Sequence, residues 1–204
     1  SPFLMNLAAC FIVIIINQGL KKYGGDLAIG AFGIVNRLVF IVVMIVMGLN
    51  QGMQPIAGYN FGAKLYGRVN KVLRLTIIYA TAVTTFGFLV GMLVPDLVVG
   101  IFTSDAELTE LSVTGLRITV MFFPIIGFQM VTSNFFQSIG MAGKAIFLSL
   151  TRQMLILLPC LLVLPQFFGV AGVWYSMPVS DLLASLIALV MLVCQFRKFR
   201  TSPL

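Results

Sequence analysis

The sequence predicts an all-α membrane protein with six transmembrane helices, and three observations carry that prediction. Of its 204 residues, 60% are hydrophobic and only 9% charged, with a mean hydropathy of +1.08. Soluble domains hold about 25% charged residues, so this chain lacks the polar groups to cover itself in water. Its apolar residues fall into six runs, roughly 3–20, 27–57, 75–101, 113–139, 145–165 and 170–195. About 20 apolar residues of helix cross the ~30 Å hydrocarbon layer, whereas barrel strands are about half as long and alternate with period two. Finally, lysine and arginine gather in alternate loops, as the short loops of helical membrane proteins do.

The first run, 3–20, contains no acid and begins almost at once after Ser1. Ser1 is not an initiator methionine, and no signal-peptide pattern precedes the run; the chain reads as a piece of something longer. The second run, 27–57, would be ~46 Å long at 1.5 Å per residue, so it is expected to tilt, bend or extend beyond the bilayer. Asn36 and Arg37 lie deep within it. It ends in GLNQGMQPIAGYNFGAK, residues 48–64. There Gly48 and Gly52 form a GxxxG face, Gln51 and Gln54 share a side, and Pro55 is expected to disrupt the last turn. Gly58 and Gly62 then shape a turn that hands Lys64 and Arg68 to the lipid phosphates. Ordinary turn chemistry explains the glycines and bases but not the two glutamines, which are expected on the inner side, bonding across helices or lining an entrance.

The third run, 75–101, carries Gly87 and Gly91 at a close-packing spacing, and Asp96 follows Pro95 near its end. In the fourth, 113–139, Gln129, Ser133 and Gln137 fall at i, i+4 and i+8 on one helix face, and Asn134 and Ser138 widen the stripe. Such groups either hydrogen-bond neighbouring helices or line a cavity, and the residues alone leave both open. Arg117 in this run and Arg152 in the fifth, 145–165, lie near span ends and are read as snorkelling to the interface. Pro124, Pro159 and Pro178 are expected to kink their helices. The sixth run, 170–195, has Ser176, Ser180, Ala184 and Ala188 as a contact ridge, and Asp181 at its centre. A lone charged carboxylate is costly there; Arg37 is the partner expected by depth.

Six spans put Lys64, Arg68, Lys71, Arg74, Lys144, Arg197, Lys198 and Arg200 on one side, against Lys21, Lys22 and the nearby Arg117 on the other. The rule that basic loops stay inside places both ends in the cytoplasm, in an inner or plasma membrane. The net charge of +7 follows from topology and attraction to anionic lipid heads; no nucleic-acid partner is read into it. Histidine is absent, and Cys10, Cys160 and Cys194 are scattered through apolar runs. That leaves no metal spacing or redox pair, and the cysteines are expected to be small buried hydrophobes. No nucleotide-binding glycine loop is present.

The run NRLVFIVVMIVMGLNQGMQPIAGYNFGAKLYGRVNKVLR resembles the eighth-helix region of the multidrug and toxic compound extrusion (MATE) transporters. FFQSIGMAGKA resembles the turn between their tenth and eleventh helices, and MPVSDLLASL their twelfth. The resemblance covers essentially the whole chain and implies one lobe, helices 7–12, of a twelve-helix transporter whose N-terminal lobe is absent here. It implies no enzyme activity and no cofactor. The function implied is cation-coupled (H⁺ or Na⁺) multidrug efflux by alternating access, with amphipathic organic, often cationic, small molecules as substrates. The implied partners are the chain's own N-terminal lobe and membrane lipids. Family members of some branches carry a coupling acid in helix ten or seven, which this chain lacks. It is therefore similar to the branch of DNA-damage-inducible protein F, which implies that the coupling ion binds in the N-terminal lobe. Asn36, Arg37, Gln51, Gln54, Gln129, Ser133, Asn134 and Gln137 are the substrate-cavity candidates, and Asp181 is the intramembrane acid. The alternatives are a lipid-linked oligosaccharide flippase of the same superfamily, expected to carry more intramembrane basic charge, and a non-transporting fragment.

The charge asymmetry makes the first prediction. In the full-length protein, cysteines introduced beside Lys64 and Lys198 should react with impermeant maleimide only from the cytoplasm, and one beside Glu107 only from outside. Cytoplasmic labelling beside Glu107 would invert the orientation.

Overall fold

The computed structural model describes residues 2–201; Ser1, residues 202–204 and the side chains of residues 200 and 201 lie outside the described residues. The chain start at Ser1 and the charge of Arg200, both read above, fall there. Every described element is helical: α1 (Pro2–Gly62), α2 (Tyr66–Leu93), α3 (Pro95–Gly100), α4 (Ala106–Val120), α5 (Phe123–Ser138), α6 (Ala142–Leu150), a π-helical turn (Thr151–Leu157), α7 (Leu158–Phe168) and α8 (Val170–Thr201). The fold is all-α, a half-size membrane lobe.

Helix α1 is 61 residues long, or about 90 Å at 1.5 Å per residue, enough for two passes. It breaks at Gly25, whose φ of 67° and ψ of −161° leave the helical region. A positive φ is open to glycine at little cost, so the first two apolar runs become two arms of one element. The segment 142–168 and the helices α2 and α8 are each long and apolar enough to cross a membrane. Helices α4 and α5 make a further span across a 56° bend, at the position where Pro124 cannot donate a helix hydrogen bond.

Several local expectations change. Pro55 does not end its helix: α1 continues through it to Gly62, and the reversal comes at Lys64, with φ of 59°. Gly58 belongs to the helix, where a Cβ would stand 3.0 Å from the Ser138 carbonyl oxygen; it permits close approach to the end of α5. Helix α2 starts at Tyr66, so the basic residues 68–74 lie on helical turns and not in a loop. The three cysteines are not buried. Cys10 and Cys194 are exposed and Cys160 is half-buried, on outward faces where an apolar thiol suits lipid as well as a core does.

Two apolar clusters hold the lobe. One packs Leu20 and Phe32, on either side of the Gly25 break, with Leu116, Phe123, Leu161 and Trp174. The other packs Val46 and Met53 with Leu73, Phe135, Phe136, Leu148 and Leu192. Beside the second cluster, Tyr66 and Phe199 stack at 5.0 Å with Phe61 packed against both at 5.8–5.9 Å, and Lys144 Nζ donates to Gln195 Oε1. The ridge Ser176, Ser180, Ala184 and Ala188 is buried, and its two hydroxyls donate to carbonyls of their own helix.

A tight contact between α5 and α2 is at Gly127, where a Cβ would lie 2.8 Å from both the Ala80 carbonyl oxygen and Thr84 Oγ1. Backbone cannot yield as a side-chain tip does, so Gly127→Ala should cost about 1–3 kcal/mol, read as a lower Tm in detergent. Gly67→Ala, which meets open space, should leave Tm unchanged or raise it.

Candidate functional site

Between the two apolar clusters the lobe buries an ion pair. Asp181 is eleven residues into α8, about 16 Å along it at 1.5 Å per residue, near the middle of a ~30 Å hydrocarbon layer. Its side chain is only 4% exposed, against 32% for Arg152. Arg152 Nε donates to Asp181 Oδ1 at 2.7 Å, and Nη2 lies 2.7 Å from the same oxygen. Arg152 therefore does not snorkel, and Arg37 is not the partner of Asp181. Arg37 is exposed and pairs with no acid among the described residues.

The local sequence explains how Arg152 turns inward. It sits in the π-helical turn Thr151–Leu157, just before Pro159. In a regular helix the proline ring would strike the carbonyl four residues earlier, that of Leu155. Widening the preceding turn relieves that clash, and such single π-turns recur at functional sites. The turn is not fully satisfied: Thr151 Oγ1 and Gln153 Oε1 are buried without a partner.

Beside the pair lies a cavity of about 260 Å³ lined by both arms of α1, the α4–α5 bend, the π-helical turn and α8. Asn36, Thr119, Ser180, Arg152 and Asp181 supply its polar wall, and Phe32, Phe123, Met130 and Met177 much of its apolar one. Asn36 and Val13 are exposed, so the cavity opens along α1. An almost wholly apolar cleft of about 220 Å³ adjoins it across Val39 and Phe123.

The other expected site residues divide into two groups. Gln51 and Gln54 are exposed and, among the described residues, bond to no other helix. With Gly33, Arg37, Met44, Gly48 and Pro55, Gln51 forms one uncovered stripe along the second arm of α1, at the three- and four-residue steps of a helix face. The GxxxG pair on it packs against nothing within the lobe: a Cβ at Gly48 or Gly52 would meet no atom within 4 Å.

The α5 stripe turns inward. Asn134 donates to the Met130 carbonyl at 3.1 Å and Ser138 to that of Asn134 at 2.7 Å, while Ser133 Oγ lies 3.4 Å from Ser149 Oγ. Gln129 is buried with Oε1 unpartnered, and Gln137 is half-buried. None of these five lines the cavity beside Arg152. No cluster of three His, Cys, Asp or Glu residues converges among the described residues.

The chain matches the family model described as MatE over residues 3–162. It belongs to the MatE family. A curated MatE relative, the multidrug export protein MepA of Staphylococcus aureus (strain MSSA476), is 28% identical over 92% of this chain and 41% of that protein. A solved structure of the MATE multidrug transporter DinF-BH bound to a ligand matches 98% of this chain at 36% identity, with a TM-score of 0.85. An outward-facing MATE transporter superimposes with a TM-score of 0.90 at 18% identity, which shows the fold alone. In these solved structures this chain covers 45% of the neighbour. It thus spans less than half the length of the MatE proteins it matches.

For a MatE lobe, the residue that sequence reasoning missed is Arg152. Distance from a span end argued for snorkelling, and the one available signal was Pro159, seven residues on. Thr119, at the cavity wall, donates to the Gly115 carbonyl at 2.8 Å and gave no signal at all.

Removing one member of a buried pair leaves an uncompensated charge, so Arg152→Gln should destabilise the lobe by about 3–5 kcal/mol. Adding Asp181→Asn should restore most of the loss, and Arg37→Gln should stay within about 0.5 kcal/mol of the native protein. Thermal unfolding of the three variants checks the pairing; an Arg37→Gln loss as large as that of Arg152→Gln would refute it.

Proposed function

We propose that this chain is the C-terminal lobe of a multidrug efflux antiporter that exchanges amphipathic organic molecules, often cations, for H⁺ or Na⁺ by alternating access. On this reading it is a transporter and not an enzyme, both of its ends are cytoplasmic, and the membrane is the inner or plasma membrane. The observation that carries the reading is the uncovered α1 stripe, with Arg37, Gln51 and a GxxxG face unused by the lobe itself, in a chain less than half as long as its relatives. Six helices that leave such a face open suit one side of a cavity completed by a second lobe, and two-lobed transporters bind substrate at that junction.

The coupling ion is assigned to the N-terminal lobe. Here the one buried acid is already neutralised by Arg152, and helix-ten positions hold Gln129, Ser133 and Gln137 in place of a carboxylate. The flippase alternative gains little from Arg152, because Asp181 balances its charge and the pair holds no net positive charge for a pyrophosphate.

Co-expressed with its N-terminal lobe in an efflux-deficient strain, the chain should lower ethidium accumulation several-fold, and expressed alone it should not. In that assay Gln51→Leu/Gln54→Leu should impair export at unchanged protein level. Ethidium accumulation unaffected by the paired lobes would reject the exporter.

A further inference from the structure

The ion pair invites a second question, because stability alone does not account for it. A buried pair is often replaceable by apolar residues at no loss, and an ionisable group within a membrane span is by default functional. Here the chain widens a helix and leaves Thr151 Oγ1 and Gln153 Oε1 unpartnered in the turn that carries Arg152. The pair also lies on the wall of a cavity, where a purely structural anchor would be packed on all sides.

Its geometry defines what the cavity offers. Both short contacts fall on Asp181 Oδ1. Neither Asp181 Oδ2 nor Arg152 Nη1 has a hydrogen-bond partner among the described residues. The site is therefore neutral overall yet presents one free acceptor edge and one free donor edge. A simple cation approaching Oδ2 meets a carboxylate already neutralised, with the guanidinium repelling it. A simple anion approaching Nη1 meets the mirror image. A molecule carrying both charges satisfies both edges and closes an alternating ring of four charges. The remaining wall, Phe32, Phe123 and Met177, suits an apolar body, and about 260 Å³ sits just under the range of drug-sized pockets.

We propose that the cavity beside Arg152 and Asp181 is a ligand site within this lobe that takes a small zwitterionic amphiphile. Its ammonium meets Asp181 Oδ2, its acidic group meets the free edge of Arg152, and its apolar body lies against Phe32, Phe123 and Met177. The mouth is at Asn36, beside the uncovered stripe of α1, so a ligand enters from the face assigned to the lobe junction. The inference rests on the transporter reading only for that route of entry.

The test uses the purified full-length transporter in nanodiscs and four probes with one common ring: phenylalanine, phenethylamine, 3-phenylpropionate and 2-phenylethanol. Binding is read by saturation-transfer difference NMR. Phenylalanine should bind at least roughly tenfold more tightly than each of the other three, the discrimination expected when one charge-assisted hydrogen bond is lost. The charge-neutral Arg152→Gln/Asp181→Asn protein should lose that preference. Equal or tighter binding of phenethylamine would overturn the proposal, as would equal binding of 2-phenylethanol or an undiminished preference in the double variant. The comparison of probes on the native protein stands even if the variant misfolds. Ethidium export by the same preparation reads the exporter function separately, so failure of one is not mistaken for failure of the other.

Discussion

A charged carboxylate in the middle of a bilayer-spanning helix is costly unless a partner neutralises it where it stands. In this lobe that requirement falls on Asp181, and Arg152 meets it with two contacts of 2.7 Å to one oxygen. Much of the architecture follows from making that contact. The pass 142–168 must stand against α8 at mid-depth, and it must turn a long basic side chain inward where sequence position alone would send it outward. It does so with a π-turn placed just before Pro159. Along α8, Asp181 falls between Trp174 of one apolar cluster and Ala188 and Leu192 of the other.

How much of this was legible in the sequence depends on the length scale of the signal. Hydropathy summed over about twenty residues is dominated by transfer of the whole segment to lipid, which is why the all-α membrane class was legible before any single helix boundary was. Breaks were partly legible. Pro124 marked the bend between α4 and α5, but Gly25 carried no warning, because one glycine among nineteen does not announce a positive φ. Pro55 shows the converse error: a proline within a helix costs a hydrogen bond but does not end a helix held by Met53 and Ala57 in the core.

The site was less legible, for a geometric reason. Depth along a span was the criterion that matched Asp181 with Arg37, and depth is one coordinate of three. Arg37 lies on the stripe of α1 that points away from the lobe, whereas Val35, Val46 and Met53 make the stripe that points in. The one-residue offset from Asn36, which reaches the cavity, to Arg37, which does not pair, turns the side chain by about 100° on a helix of 3.6 residues per turn. Periodicity in the α5 stripe was right about the shared face but silent on its use. Asn134 and Ser138 turn back to the carbonyls four residues earlier in their own helix, a local option always open to short polar side chains.

The second arm of α1 therefore does two things at once. Its inner stripe is a wall of the core, and its outer stripe is uncovered, with Asn36 at the seam between them and at the mouth of the cavity. Packed interiors do not deform continuously; elements move as units between alternative packings. Any rigid shift of this arm against α8 changes the uncovered face and the opening beside Arg152 together, because the same helix forms both. A second lobe seated on the outer stripe would act on the inner cavity through that shared helix, without contacting the ion pair. In this fold, what happens at the junction of the lobes and what happens at Arg152 and Asp181 are two consequences of where one helix lies.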